Sequence, residues 1–310
     1  MPTSTNKLQG LLFVVSLLLL IAVAASCKGQ GTKSRSETHA APTQPSLEDY
    51  QPLLFPQNET KPNQHASLQG IVSEFIWKIH QDKHNTYWFA TNHDGLVVYK
   101  NNSLKQYTKN DGIGGNAIRD IIEDKNGTIW LGTSHGLTSY NGNDFTNYTT
   151  KDGLIDNEIW ALAQDDQGTL WIGTVGGVSQ FNGTSFKSFN VPKPDVPNPM
   201  LSENRVSAIL IDKNGHFWFV NDSYGVTLFD GKSFTFLTTE NGLTDNNVAE
   251  VFEDSQGQIW IGTYYAGVSK FNGNQFTNFT KDGVIEGLEA YNFYEDSKGN
   301  IWFSAENHGV

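Results

Sequence analysis

Six tryptophans recur at a nearly constant interval: Trp88, Trp130, Trp171, Trp218, Trp260 and Trp302 are 42, 41, 47, 42 and 42 residues apart. An aspartate stands six residues before each of them: Asp82, Asp124, Asp165, Asp212, Asp254 and Asp296. A unit of about 40 residues cannot bury its apolar face alone, so copies in series must pack on one another. Any fold for this chain has to be built from that unit.

The text inside one unit fixes its secondary structure. Ala117–Ile122, the run before the aspartate, reads as a first strand, a. The segment Asp124-Lys125-Asn126-Gly127 follows, and Asn-Gly supplies the positive φ of a tight hairpin while the aspartate caps it. Thr128–Thr133 is strand b and Gly136–Tyr140 is strand c. Asn141-Gly142 makes the next turn and Phe145–Tyr148 is strand d. A linker such as Lys151-Asp152-Gly153-Leu154 leads to the next copy, and no stretch reads as a helix. Short strands of period two in four-stranded repeats predict an all-β chain, a β-propeller with six visible blades.

The ends differ from the repeat. Leu11–Ala25 is an apolar run preceded by Lys7, long enough for a secretory signal and short for a membrane span. It ends in Ala24-Ala25-Ser26-Cys27, which resembles a bacterial lipobox, and Cys27 is the only cysteine of the chain. The expected organisation is a lipoprotein signal at 1–26 with Cys27 lipidated, a flexible Ser/Thr/Gln/Pro-rich tether at 27–66, and the propeller at 67–310. An ordinary cleavage site beside an incidental cysteine is the other reading. Lys28 follows the cysteine, so no aspartate there signals inner-membrane retention, and the outer membrane is the expected location. Tyr50–Phe55 is an apolar island in the tether. Copy six stops at His308-Gly309-Val310, at the start of strand c. Either the ring continues, to seven blades, or the segment at Tyr50–Phe55 helps to close it; an open ring leaves bare sheet edges.

The formal net charge of −12 argues against nucleic acid and against anionic lipid as partners. The membrane is reached only through the anchor. One thiol excludes an internal disulfide framework. Asp124-x-Asn126-Gly127 lacks the further oxygen ligands of a calcium loop, and no cofactor or metal site is expected.

Several segments of the repeat are similar to the two-component regulator propeller repeat: Asp152-Gly153-Leu154, Asn157-x-Ile159, Asp165-Asp166-Gln167-Gly168, Leu170-Trp171-Ile172-Gly173-Thr174 and Gly177-Val178-x-x-Phe181-Asn182-Gly183. The resemblance covers residues 71–310. It implies an extracytoplasmic sensor-type propeller, seven-bladed in most members and often linked to carbohydrate sensing. This sequence departs from that pattern: it shows no membrane span after the repeats and no kinase or receiver signature.

Strand order places the a–b and c–d turns on one face of such a ring, and the b–c loops and d–a linkers on the other. The turns are uniform; the loops differ from copy to copy, and specificity is expected where copies differ. Eleven residues before each Trp stand Trp77, Arg119, Trp160, Ser207, Ala249 and Tyr291. Aromatic faces and an arginine there suit a sugar or a peptide; the same aromatics also serve to plug a central channel. The b–c loops add His93, His135, Asp222, Tyr224, Tyr264 and Tyr265 as candidate ligand contacts. Fourteen residues before the Trp, Asn116, Asn157, Asn204 and Asn246 suggest a cap at the strand entrance. A proline-rich insertion, Val191–Pro199, precedes blade four. No nucleophile–base pair, phosphate loop or metal cluster stands out, so no catalytic residue is assigned. The expected function is a ligand-binding or sensing propeller whose partner is a carbohydrate, a peptide or an envelope protein. The alternatives are a propeller hydrolase or lyase acting on an extracellular polymer, and an assembly scaffold.

Overall fold

A computed structural model describes residues 72, 73, 75–196, 203–279 and 289–305. The expectations for the signal segment, Cys27, the tether and Tyr50–Phe55 lie outside the described residues, as do those for 306–310. Within them the strands form five antiparallel sheets of four, each in chain order, and a sixth sheet of two. Blade two is typical, with β5 at Ile118–Glu123, β6 at Ile129–Thr133, β7 at Gly136–Tyr140 and β8 at Phe145–Tyr148. Strands c and d fall where the sequence placed them, and strands a and b begin one residue later. The inner strands are β1 (Ile76–Gln81), β5, β9 (Ile159–Gln164), β13 (Val206–Ile211), β17 (Val248–Glu253) and β21 (Ala290–Glu295). Each packs on the next in series; among the described residues β21 does not pack on β1 in that way.

The aspartate–tryptophan pair locks every blade. Asp82 Oδ1 accepts the backbone N–H groups of His84 at 2.9 Å and Thr86 at 2.8 Å, closing the a–b turn. Asp82 Oδ2 accepts the indole N–H of Trp88 at 3.0 Å. The indole bond recurs in all six copies, at 2.8 to 3.1 Å. It satisfies the one polar atom of a large apolar side chain and so lets that side chain be buried. Each of the first five indoles then packs between its own blade and the next: Trp88 on Ile118 and Ile121, Trp130 on Ile159 and Leu162, Trp171 on Val206 and Phe219. The core is therefore a series of inter-blade layers.

In three copies a glycine two residues after the Trp (Gly132, Gly173 and Gly262) makes the layer close. A Cβ on Gly262 would lie 2.1 Å from the Ala290 carbonyl oxygen, and one on Gly173 would lie 2.6 Å from that of Val206. Only a residue without a Cβ lets the next inner strand come so near.

The linkers depart from the expectation of no helix. Lys109–Asp111, Thr150–Asp152 and Thr239–Asn241 are single 3-10 turns. Each opens with a threonine whose side chain and backbone share a capping box with the residue three further on. The asparagine series caps them as well: Asn116, Asn157 and Asn246 each accept the first N–H of the turn, at 2.8 to 2.9 Å. In blade four Asn204 instead accepts Lys193 Nζ at 2.9 Å.

Candidate functional site

A β-bulge in every inner strand builds the site. The pairing of β5 with β6 slips between Ile118 and Asp120, and the same slip recurs in β1, β9, β13 and β17. Ile118 and Ile121 are both buried in the core, at 0 % and 1 % exposure. The two residues between them, Arg119 and Asp120, therefore both point away from the core and toward the axis. A regular strand of period two would send only one of them there. Two rings of axial side chains result.

The outer ring, at the mouth on the face of the b–c loops, brings several predicted residues together. Trp77 of blade one meets Trp160 of blade three edge to face, with centroids 6.0 Å apart. The Arg119 guanidinium lies 4.2 Å from the Trp160 ring centroid and that of Arg205 lies 4.3 Å from it. The two arginines belong to the blades on either side, so the indole is held between them. Arg119 Nη2 donates to Glu158 at 2.9 Å, and Arg205 Nε is set against Asp222 Oδ2. Burial pulls the Arg119 guanidinium below its usual pKa, and Arg205 adds to that while Glu158 opposes it. Burial pushes the Asp222 carboxyl up, against the pull of Arg205.

These contacts sort the candidates. Trp160 is half-buried, with a guanidinium from each flanking blade over its ring. Trp77 is the half-buried indole of the mouth that keeps its orientation through other groups: its Nε1 donates to Asn92 at 3.2 Å and Phe75 lies edge-on at 4.7 Å. Asp222 is 2 % exposed and Tyr224 is 9 % exposed, so both belong to the wall. Tyr224 lies under Lys193 of the inserted linker, at 5.3 Å. Tyr264 borders the cluster; burial raises its hydroxyl pKa, Arg205 opposes that rise, and Asp222 and Glu289 add to it. Tyr265, beside it at 6.3 Å, is exposed at the surface. Tyr291 is half-buried on β21, where its carbonyl accepts Ser304 Oγ at 2.9 Å. His93 and His135 sit apart on exposed loops: His93 bonds the carbonyl of Asn92 and His135 bonds Ser134. Trp160 Nε1, Arg119 Nε and Ser207 Oγ are buried without a hydrogen-bond partner.

The inner ring lies one residue further along. Lys78 is 3.3 Å from Asp120. It also feels Glu250 of blade five, so charges from three blades converge on the axis. The ion pair with Asp120 raises the Lys78 pKa. Although protein surrounds it, 46 % of the Lys78 side chain is accessible, as expected in an open channel. Glu250 accepts the backbone N–H groups of Asn292 and Phe293, yet burial holds its carboxyl above the usual range. Among the described residues no group of three metal-ligating side chains occurs, and no helix is long and apolar enough to cross a membrane.

Arg205 escaped the sequence reading. Its signal was a double departure within blade four. Arg205 replaces the Phe, Ala, Glu and Asn of the other copies thirteen residues before the Trp. In the same blade Asn221-Asp222 stands where blades one, two, three and five have a threonine that closes the b–c turn.

The fold and its axial site define the chain as a repeat propeller with a polar, aromatic channel mouth. Three stretches, residues 112–135, 153–176 and 242–265, match the model of the two component regulator propeller repeat. No curated protein matches the chain. Among solved structures it is similar to the extracellular domain of a B. thetaiotaomicron protein assigned to the hybrid two component systems. That likeness has TM-score 0.65 and 23 % identity over 77 % of this chain, and it spans 33 % of the other, so this chain corresponds to about a third of that domain. It is also similar to virginiamycin B lyase from Staphylococcus aureus, with TM-score 0.59, 10 % identity and coverage of 75 % and 78 %. These likenesses establish the fold.

Proposed function

We propose that this chain is an extracytoplasmic binding propeller of the sensor type, tethered to the cell envelope through lipidated Cys27, that receives a carbohydrate or peptide at the channel mouth. The observation that carries this reading is the convergence of Trp77, Arg119, Trp160 and Arg205, from four separate blades, on one spot of the variable face. Trp77 supplies an aromatic surface for stacking, and the ion-paired arginines present directed donors around it. Buried polar atoms without partners concentrate at the same spot, where a polar ligand or water would satisfy them. The kinship of the repeats with two component regulator propellers supports the sensing role.

The test is thermal stabilisation of the purified chain by a panel of neutral and charged oligosaccharides and short peptides. One chemical class raises Tm in the parent and fails to do so in Trp77→Ala. If no class stabilises the parent, or if Trp77→Ala responds as the parent does, this reading is wrong.

A further inference from the structure

Neighbouring blades are tied at the turn face by a repeated latch. The side chain seven residues before the Trp accepts a backbone N–H from the a–b turn of the preceding blade. Glu123 accepts Lys83 N at 3.0 Å, Gln164 accepts Lys125 N at 3.1 Å, Glu253 accepts Lys213 N at 2.9 Å and Glu295 accepts Ser255 N at 2.5 Å. The residue at that place in blade four is Ile211, which has no side-chain acceptor. Asp166 N, the donor that would face it, has no hydrogen-bond partner among the described residues. The axial latch is missing there too. Asp120 reaches Leu162 N of the next blade at 2.8 Å and Glu250 reaches blade six, but blade three has Ala161 at that position and blade four has Ala208, so the four–five junction keeps only its turn-face latch.

Aromatic packing replaces these bonds. Trp171 and Phe217 meet with centroids 4.3 Å apart, and Ile211 packs in the same cluster. Apolar contact tolerates sliding, whereas directed hydrogen bonds fix register. At the mouth, this junction is bridged by Arg205 lying over Trp160. The unlatched seam and the candidate binding site thus share one side chain.

We propose that the junction between blades three and four is the shear plane of the ring, and that Arg205 couples occupancy of the mouth to it. The coupling rests on the binding role argued above; the shear plane does not.

Spin labels test both parts without a ligand. In a Cys27→Ser background, cysteines at Gln167 and Asn214 span the three–four junction, and cysteines at Asn214 and Gln256 span the latched four–five junction. All three side chains are exposed at equivalent turn positions. The distance distribution across three–four should be about twice as wide as that across four–five, as a sliding interface requires. Ile211→Glu or Ile211→Gln, which supplies the missing acceptor, should narrow it to the latched width. Glu253→Ala should widen four–five. Arg205→Lys keeps the charge facing Asp222 but loses the planar stack, and it should widen three–four alone. Equal widths in the parent, or no narrowing in both well-folded Ile211 variants, overturn the shear plane. No effect of Arg205→Lys overturns the coupling. Absence of any ligand response in a chain whose widths behave as stated refutes the binding role alone.

Discussion

Trp171 donates its indole N–H to Asp165 Oδ2 at 2.8 Å, while Asp165 Oδ1 takes the backbone N–H groups of Gln167 and Thr169 at 3.0 and 2.8 Å. One carboxylate thus closes a turn and satisfies a buried indole. An amide cannot do both, because one of its two ends is a donor. Asp165→Asn should cost about 1–3 kcal/mol in urea unfolding, the penalty of an unsatisfied or opposed donor. Trp171→Phe in the Asp165→Asn background should cost less than the sum of the two single changes, as coupled partners do.

Acid should weaken the ring through Asp82, Asp296 and Asp230. Burial pushes the Asp82 carboxyl up, but the N–H groups of Thr86, Trp88 and His84 outweigh it and hold it below its usual value. Asp296 is held low by Asn300, and Asp230 is held at about 2 by the amides of Ser233 and Lys232. A depressed carboxyl contributes stability that is complete above its unfolded pKa, about 3.9, and is lost as pH falls through the folded value. Tm should be flat in this respect above about pH 5 and fall steadily from about pH 4 toward pH 2. A Tm unchanged over that lower range would contradict the assignment.

Trp77 and Trp160 should separate in their effects. Trp77→Ala should abolish ligand stabilisation and, because the indole also packs on the core between blades one and two, should cost about 2 kcal/mol. Trp160→Ala strips the surface between two guanidiniums and should cost about 3 kcal/mol or more. Calorimetry of the two variants, with and without ligand, distinguishes the platform from its support.

The Arg205–Asp222 pair should be costly to break and cheap to replace. Asp222→Ala leaves a half-buried guanidinium without its partner and should cost about 3–5 kcal/mol, whereas Arg205→Met with Asp222→Leu should cost far less. Denaturant midpoints of the three proteins give the comparison.

The blades were legible because each carries its whole pattern locally. The Trp–Asp spacing, the Asn-Gly turns and strands such as Gly136–Tyr140 depend on neighbours a few residues away, and the pattern is written six times. The same legibility placed Trp77, Arg119 and Trp160 in one register. What lay hidden depends on other blades. No single copy states that Trp160 is held between Arg119 and Arg205, because those partners come from the two adjoining repeats. The 3-10 turns escaped because Thr-x-x-Asp reads equally well as a polar linker. Ile211 escaped because an apolar residue near a strand end looks ordinary until the acceptors at that place in its neighbours are known.

The bulge in the inner strands has a consequence for how such a molecule can change. By seating Ile118 and Ile121 in the core while Arg119 and Asp120 face the axis, it separates the residues that hold the ring together from those that line its bore. A new lining can be written blade by blade, two adjacent letters at a time, without disturbing the text that folds the protein.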